Sequence, residues 1–378
     1  MSAKANRGTV LIIDDEDASG NAIKEILRDT IRAKVRAPGD VTEADLRQAK
    51  LVLVDFKLAS WPVRDEQDTP SLRPQDGIAL AAVLRSNLEQ LKASPTAFAL
   101  ISGMLSELSG SRVFTNREHA IAKAIDLEWV FAKGSGPGQE QFATSVTSLA
   151  DAVAKLPKEW PQIEQSRRML CKLLAIPPRA AWHYRALDDV DRSYPPHDIL
   201  VETSQGIALL RWLLHSVLPF PTFLLDYRYL AARLSIEPSS LRRILFSKQG
   251  AQVRKVLHRY EYSGLLASFS GPRWWRAGIE HWIWNETKGD PFSKPALQTL
   301  ARAKMARALK PSQIEKPVIS LDDQFRPTDD LIELSSAVQI GPDGWPPFAD
   351  AAWVSLDAAK SNSTLAALVT PPDRARLF

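Results

Sequence analysis

The chain has 378 residues, 45% hydrophobic and 24% charged, with a net charge of +4. That length exceeds one ordinary core and predicts two or three domains of a soluble globular protein. One cysteine, Cys171, excludes an intramolecular disulfide and a thiolate zinc cluster, while the mild positive charge permits nucleic-acid contact without requiring it.

The opening residues hold no apolar signal core, because the first apolar run meets Asp14 and Asp15 after four residues. Gly206–Leu225 is apolar and long, but Arg211, His215, Pro219 and Pro221 interrupt it, which predicts a buried helix ending before Pro219 and no membrane span. A cytoplasmic protein is expected.

The first 150 residues alternate strand and helix signals. Thr9–Ile13 is a continuous apolar, β-branched run, the mark of a strand covered on both faces. A helix over Ala18–Thr30, a weak strand at Lys34–Ala37 and a short helix at Asp45–Lys50 follow. Leu51–Val54 then reads as a buried strand that delivers Asp55 to its C-terminal end. Asp76–Leu91 has the spacing of an amphipathic helix. Strands at Thr96–Ile101 and Trp129–Ala132, with helices at Arg117–Ile125 and Gln139–Leu156, complete a doubly wound α/β domain.

Ligands of such sheets gather at the carboxyl ends of the strands. The side chains leaving those ends are Asp14 and Asp15, Asp55, Ser102 and Lys133. Three crowded carboxylates repel one another unless a cation lies among them, and hard oxygens suit Mg²⁺. A carboxylate can act as nucleophile toward phosphorus, with an ammonium and a hydroxyl holding the phosphoryl oxygens. The predicted reaction class is phosphoryl transfer onto Asp55. A phosphatase of the haloacid dehalogenase type would carry a second acid two residues past its nucleophile, where this chain has Lys57.

In LIIDDE, LVLVDF, PQDGIALAAVLR, ALISG and FAKGS the chain resembles the receiver domain of two-component response regulators, over roughly residues 7–156. The resemblance implies a flavodoxin-like, five-stranded parallel sheet and Mg²⁺ held by Asp14, Asp15, Asp55 and the backbone carbonyl of Lys57. It further implies Asp55 as acceptor with Lys133 and Ser102 beside it, and a histidine kinase as partner. Three departures stand out. Ala59–Arg73 is an insertion between acceptor and PQDG, expected to form a flap beside Asp55. Gly134 replaces the usual proline, and Val130 stands where the family has its switching aromatic, flanked by Trp129 and Phe131. A silent receiver that only binds other proteins is the alternative.

After a proline-bearing linker at 156–163 the chain turns helical, with candidates at Arg167–Ala175, Gln205–Leu218 and Phe223–Leu234. Tyr229–Leu245 reads as two short helices around a turn at Ser235–Pro238, the second capped by Ser239 or Ser240, with Leu230, Leu234, Leu241 and Ile244 inward. The pair resembles a helix-turn-helix, in which Arg242, Arg243 and Lys248 would face nucleic acid. Basic residues continue through Arg254, Lys255, Arg259, Arg273 and Arg276. A protein-binding face is equally consistent with the pattern. The tryptophans of RWWRAGIEHWIW read as core or interface, Glu280 and His281 as structural, and TPPDRARLF as a flexible tail.

The expected organisation is a receiver at 7–156, a mainly α output region at 157–310 with the helix pair at 229–245, and a strand-and-loop segment at 311–378. The expected function is a response regulator, not an autonomous enzyme, that signals to an output region binding DNA or protein. The alternative is a phosphate sink beside a second receiver or effector, as in some multi-component anti-phage signalling systems. A homodimer is compatible with either.

Overall fold

The computed structural model describes residues 8–61, 64, 73–103, 105–109, 117–133, 138–161, 163–196 and 206–378. Gly134, Gln205 and residues 62, 63 and 65–72 of the insertion lie outside them. The chain divides into two compact units. The first comprises residues 1–174, 195–215 and 264–270; the second comprises 175–194, 216–263 and 271–378.

The first unit runs β1 (Thr9–Ile13), α1 (Asp17–Leu27), β2 (Arg32–Arg36), α2 (Glu43–Gln48), β3 (Ala49–Asp55), α3 (Gly77–Gln90), β4 (Ala97–Ser102), α4 (Leu105–Ser109), α5 (Glu118–Ala124), β5 (Trp129–Ala132) and α6 (Gly138–Ala154). The five strands form one sheet of order β2-β1-β3-β4-β5, every pairing parallel. Leu51, Val52, Leu53 and Val54 are completely buried, as expected of a strand covered by helices on both faces. The order reverses between β1 and β3, so their carboxyl ends open a crevice there.

Local chemistry sets the helix starts. Thr42 and Asp45 form a reciprocal capping box, so α2 begins at Glu43, before the expected Asp45. Ala49 and Lys50, expected to be helical, already belong to β3. Asp76 caps α3, its carboxylate accepting from Ala79 N at 2.9 Å. Gly77 is required at the next position, because a Cβ there would lie 2.1 Å from the Asp55 carbonyl oxygen. The short helix α4 was not anticipated.

Two later segments complete this unit. The helix Ile207–Trp212 lies in the long apolar run, with Leu209 and Leu210 fully buried. Arg211 Nε donates to Glu128 Oε1 at 2.7 Å, and His215 Nε2 lies 3.0 Å from the Glu128 carbonyl oxygen. In the segment 264–270, Phe269 packs edge-on against Trp129, ring centroids 4.8 Å apart, and its carbonyl accepts from Ser145 Oγ at 2.6 Å. Among the described residues no helix is long and apolar enough to cross a membrane.

The second unit is mainly helical, with strands β6 (Leu224–Leu225) and β7 (Trp274–Trp275) paired to each other and β8 (Pro317–Leu321), β9 (Pro327–Glu333), β10 (Ala337–Ile340) and β11 (Ala352–Ser355) in a second sheet. The helix expected over Phe223–Leu234 starts only at Tyr227. Asp226 caps it by accepting from the backbone N of Arg228 and Tyr229, and the two residues before Asp226 are strand. The second helix of the pair, Pro238–Leu245, has proline in its first turn and no side-chain cap; Ser240, expected as a cap, is buried and accepts from Lys310 N at 3.0 Å. Leu230, Leu234, Leu241, Ile244, Trp274 and Trp282 share one core with Ile319 of β8. Trp284 alone of that tryptophan group is exposed.

The C-terminal stretch is ordered against expectation. Pro371–Leu377 forms a 3₁₀ helix, Asp373 accepts from Gln339 N at 2.7 Å, and Arg376 donates to the carbonyl of Ala337. These bonds tie both a carboxylate and a guanidinium to β10 and its approach, and that is why the tail is not free.

Candidate phosphoacceptor site

Asp14 and Asp15 follow β1, and Asp55 ends β3, so the crevice between those strands collects all three carboxylates. One oxygen from each lies within 4.8 Å of the others. Asp14 and Asp55 are buried at 2% and 7% exposure. Lys133, following β5, brings its ammonium 2.8 Å from Asp55 Oδ1 and 3.9 Å from Asp14 Oδ2. Ser102 ends β4, buried, and its carbonyl accepts from Lys133 N at 2.7 Å. Four of the five residues read from the strand ends, Asp14, Asp15, Asp55 and Lys133, therefore bring their side chains together, and Ser102 joins them through its backbone carbonyl.

Burial pushes the Asp55 carboxyl up, against the pull of the Lys133 ammonium, and the Asp14 carboxylate pushes it the same way as burial. Asp14 Oδ1 accepts from Glu16 N at 2.9 Å, whereas the buried Asp14 Oδ2 makes no hydrogen bond. A buried carboxylate oxygen without a donor, facing two further carboxylates, is the donor set that a hard divalent cation satisfies. Mg²⁺ fits these residues.

Strand order, all-parallel register and the acids at the ends of β1 and β3 agree on one architecture. The first unit has the flavodoxin-like fold. A scan of family models matches none, and no curated protein matches the chain. Among solved structures the chain is similar to the RcsB response regulator of Salmonella enterica serovar Typhimurium bound to the rprA promoter in the presence of the phosphomimetic BeF3⁻. The identity is 15% over 56% of this chain and all of that one, at a TM-score of 0.25. It is also similar to the response regulator ChrA of a heme-sensing two-component system, 14% identical over 69% of this chain and 94% of that one, TM-score 0.23.

Three contacts around this site leave no mark in the sequence. Lys133 Nζ donates to Ser19 Oγ at 3.3 Å, from the first turns of α1. The backbone N–H of Ser60, at the start of the insertion, donates to the Asp15 carboxylate. Lys57 turns its ammonium to Glu107 of α4, 2.9 Å away. A serine four residues past an acidic pair was visible in the sequence, but nothing marked it as facing Lys133. Val130 is fully buried, and the aromatics beside it are occupied: Trp129 by Phe269, and Phe131 by Phe142 at 5.4 Å between centroids.

In the second unit the basic residues divide. Arg243 and Lys248 are exposed. Arg242, also exposed, approaches Asp329 of β9 at 3.6 Å and lies over the Tyr227 ring. Arg254 donates to the carbonyls of Leu245 and Ser247. Arg273 and Arg276 do not extend the basic face as expected. They are turned inward, onto the buried Asp226 at 3.4 Å and the half-buried Asp350 at 3.2 Å, which take them as cationic partners.

Proposed function

We propose that the protein is a two-component response regulator whose receiver accepts a phosphoryl group on Asp55 from a partner histidine kinase. The observation that carries this reading is the Lys133 ammonium at 2.8 Å from Asp55 in a crevice shared with Asp14 and Asp15. An Asp55 oxygen attacks phosphorus of the kinase phosphohistidine, the P–N bond breaks with its electrons returning to imidazole, and an acyl phosphate forms. Lys133 holds the carboxylate in place beforehand and then pairs with a phosphoryl oxygen; the Ser102 hydroxyl, one strand away, donates to another. Asp14, Asp15, Asp55 and the Lys57 carbonyl would hold Mg²⁺, which would neutralise the charge of the carboxylates and the incoming phosphate. The chain is a cytoplasmic phosphoacceptor rather than an autonomous enzyme.

The product adds about 1.5 to 2 negative charges at the sheet edge. The output region answers through the helix pair, whose exposed Arg242, Arg243 and Lys248 suit duplex DNA. A second reading, a protein-binding output with the receiver as phosphate sink, is favoured by the inward turn of Arg273 and Arg276. Intact mass after incubation with acetyl phosphate and Mg²⁺ tests the chemistry. Wild type gains one phosphoryl group and Asp55→Asn gains none; an unlabelled wild type would reduce the receiver to an interaction module.

A further inference from the structure

An open groove of about 630 Å³ lies beside the second helix of the pair. Its floor is carbon: Leu245, Leu257 and Trp274 line it, all nearly inaccessible. At its edge Phe246 is 63% exposed, one turn beyond Arg242 on the same helical face. Two cations, Lys255 and Arg254, line the rim against one acid, Glu261, which lies 3.2 Å from His258 Nδ1. Among the described residues no acid comes within ion-pair distance of Lys255, or of the exposed Lys248 and Arg259.

We propose that this groove docks an acidic peptide segment carrying one large apolar side chain. The unpaired Lys255 on the rim, with the exposed Lys248 and Arg259 on the neighbouring segments, selects the acidic partner, and the carbon floor beside an uncovered Phe246 selects the apolar anchor. A nucleic-acid strand is the competing polyanion for these cations and is tested beside the peptide. The docking surface is independent of Asp55 chemistry and stands whether or not the receiver is phosphorylated.

Fluorescence anisotropy with the full chain tests the proposal, using three short fluorescein-labelled peptides. The first has a central phenylalanine flanked by glutamates; the second replaces the phenylalanine by alanine; the third replaces the glutamates by lysines. The first binds saturably and at least about tenfold more tightly than the others. Phe246→Ala and Lys255→Glu, both at exposed positions, each weaken it by about tenfold or more with an unchanged circular dichroism spectrum. No saturable binding of the first peptide, or binding indifferent to both substitutions, overturns the proposal. So does a labelled single-stranded oligonucleotide that binds more tightly than the peptide and depends on Phe246.

Discussion

Arg211 and Glu128, 83 residues apart, meet at 2.7 Å in the first unit, and the carboxylate is entirely buried. Glu128 also accepts from Phe98 N, and Arg85 stands 3.5 Å from the same oxygen as Arg211. Taking Arg211 away leaves a buried carboxylate with a distant partner, a loss of about 3 kcal/mol. Arg211→Ala is expected to lower the urea midpoint accordingly, while Arg211→Met combined with Glu128→Gln recovers most of it. A chain cut after α6 lacks Arg211 and is expected to unfold at lower urea than the intact receiver.

His215 gives this region a pH dependence. Burial, reinforced by the Arg211 and Lys123 charges, pushes its imidazole down from 6.5 to about 4, against the hydrogen bond to the Glu128 carbonyl. As pH falls below 6.5 the unfolded chain takes the proton first, so stability is lost between pH 6.5 and about 4, amounting to about 3 kcal/mol at the lower end. Urea midpoints measured across that range should slope for wild type and flatten for His215→Gln.

Mg²⁺ is expected to raise the melting temperature by binding the folded acids. At ten times the dissociation constant the gain is about 1.4 kcal/mol. Asp14→Asn should abolish the Mg²⁺ effect and, by removing one of three crowded charges, raise the melting temperature in chelator. Thermal scans in Mg²⁺ and in EDTA check both outcomes.

Gly77→Ala places a methyl where the Asp55 carbonyl oxygen lies 2.1 Å away. The backbone must shift, at a cost of about 1–3 kcal/mol, and the shift displaces the acceptor itself. Labelling of the variant by acetyl phosphate should be slower than that of wild type under conditions where both remain folded.

The proposed DNA binding by the helix pair is expected to depend on Arg242 and Arg243. Their joint replacement by alanine should weaken binding to duplex DNA and reduce the slope of log affinity against log salt by about 2. Unchanged affinity and slope would leave the protein-binding output as the reading of this face.

The α/β fold of the first unit was legible because parallel strands buried on both faces write themselves as continuous apolar runs, and the residues leaving those runs mark the candidate site. TVLII and WVFA give β1 and β5 at their observed bounds. Helix starts were less legible, since a capping box at Thr42 or a lone cap at Asp226 outweighs apolar spacing by a turn. Pairings distant in sequence left no local trace: Arg211 reads as a charge interrupting an apolar run, and only folding shows Glu128 beneath it. The same holds for Arg273 and Arg276, which resemble a solvated basic stretch until Asp226 and Asp350 are seen beside them.

The Arg211–Glu128 pair also orders events on the ribosome. The five strands of the sheet are synthesised by residue 132, yet the cation that neutralises Glu128 emerges 83 residues after it. At typical elongation rates that delay is roughly 4 to 17 s. For that interval the nascent sheet holds an acid whose main partner does not yet exist. Final consolidation of the N-terminal sheet therefore waits for translation of the region that follows it.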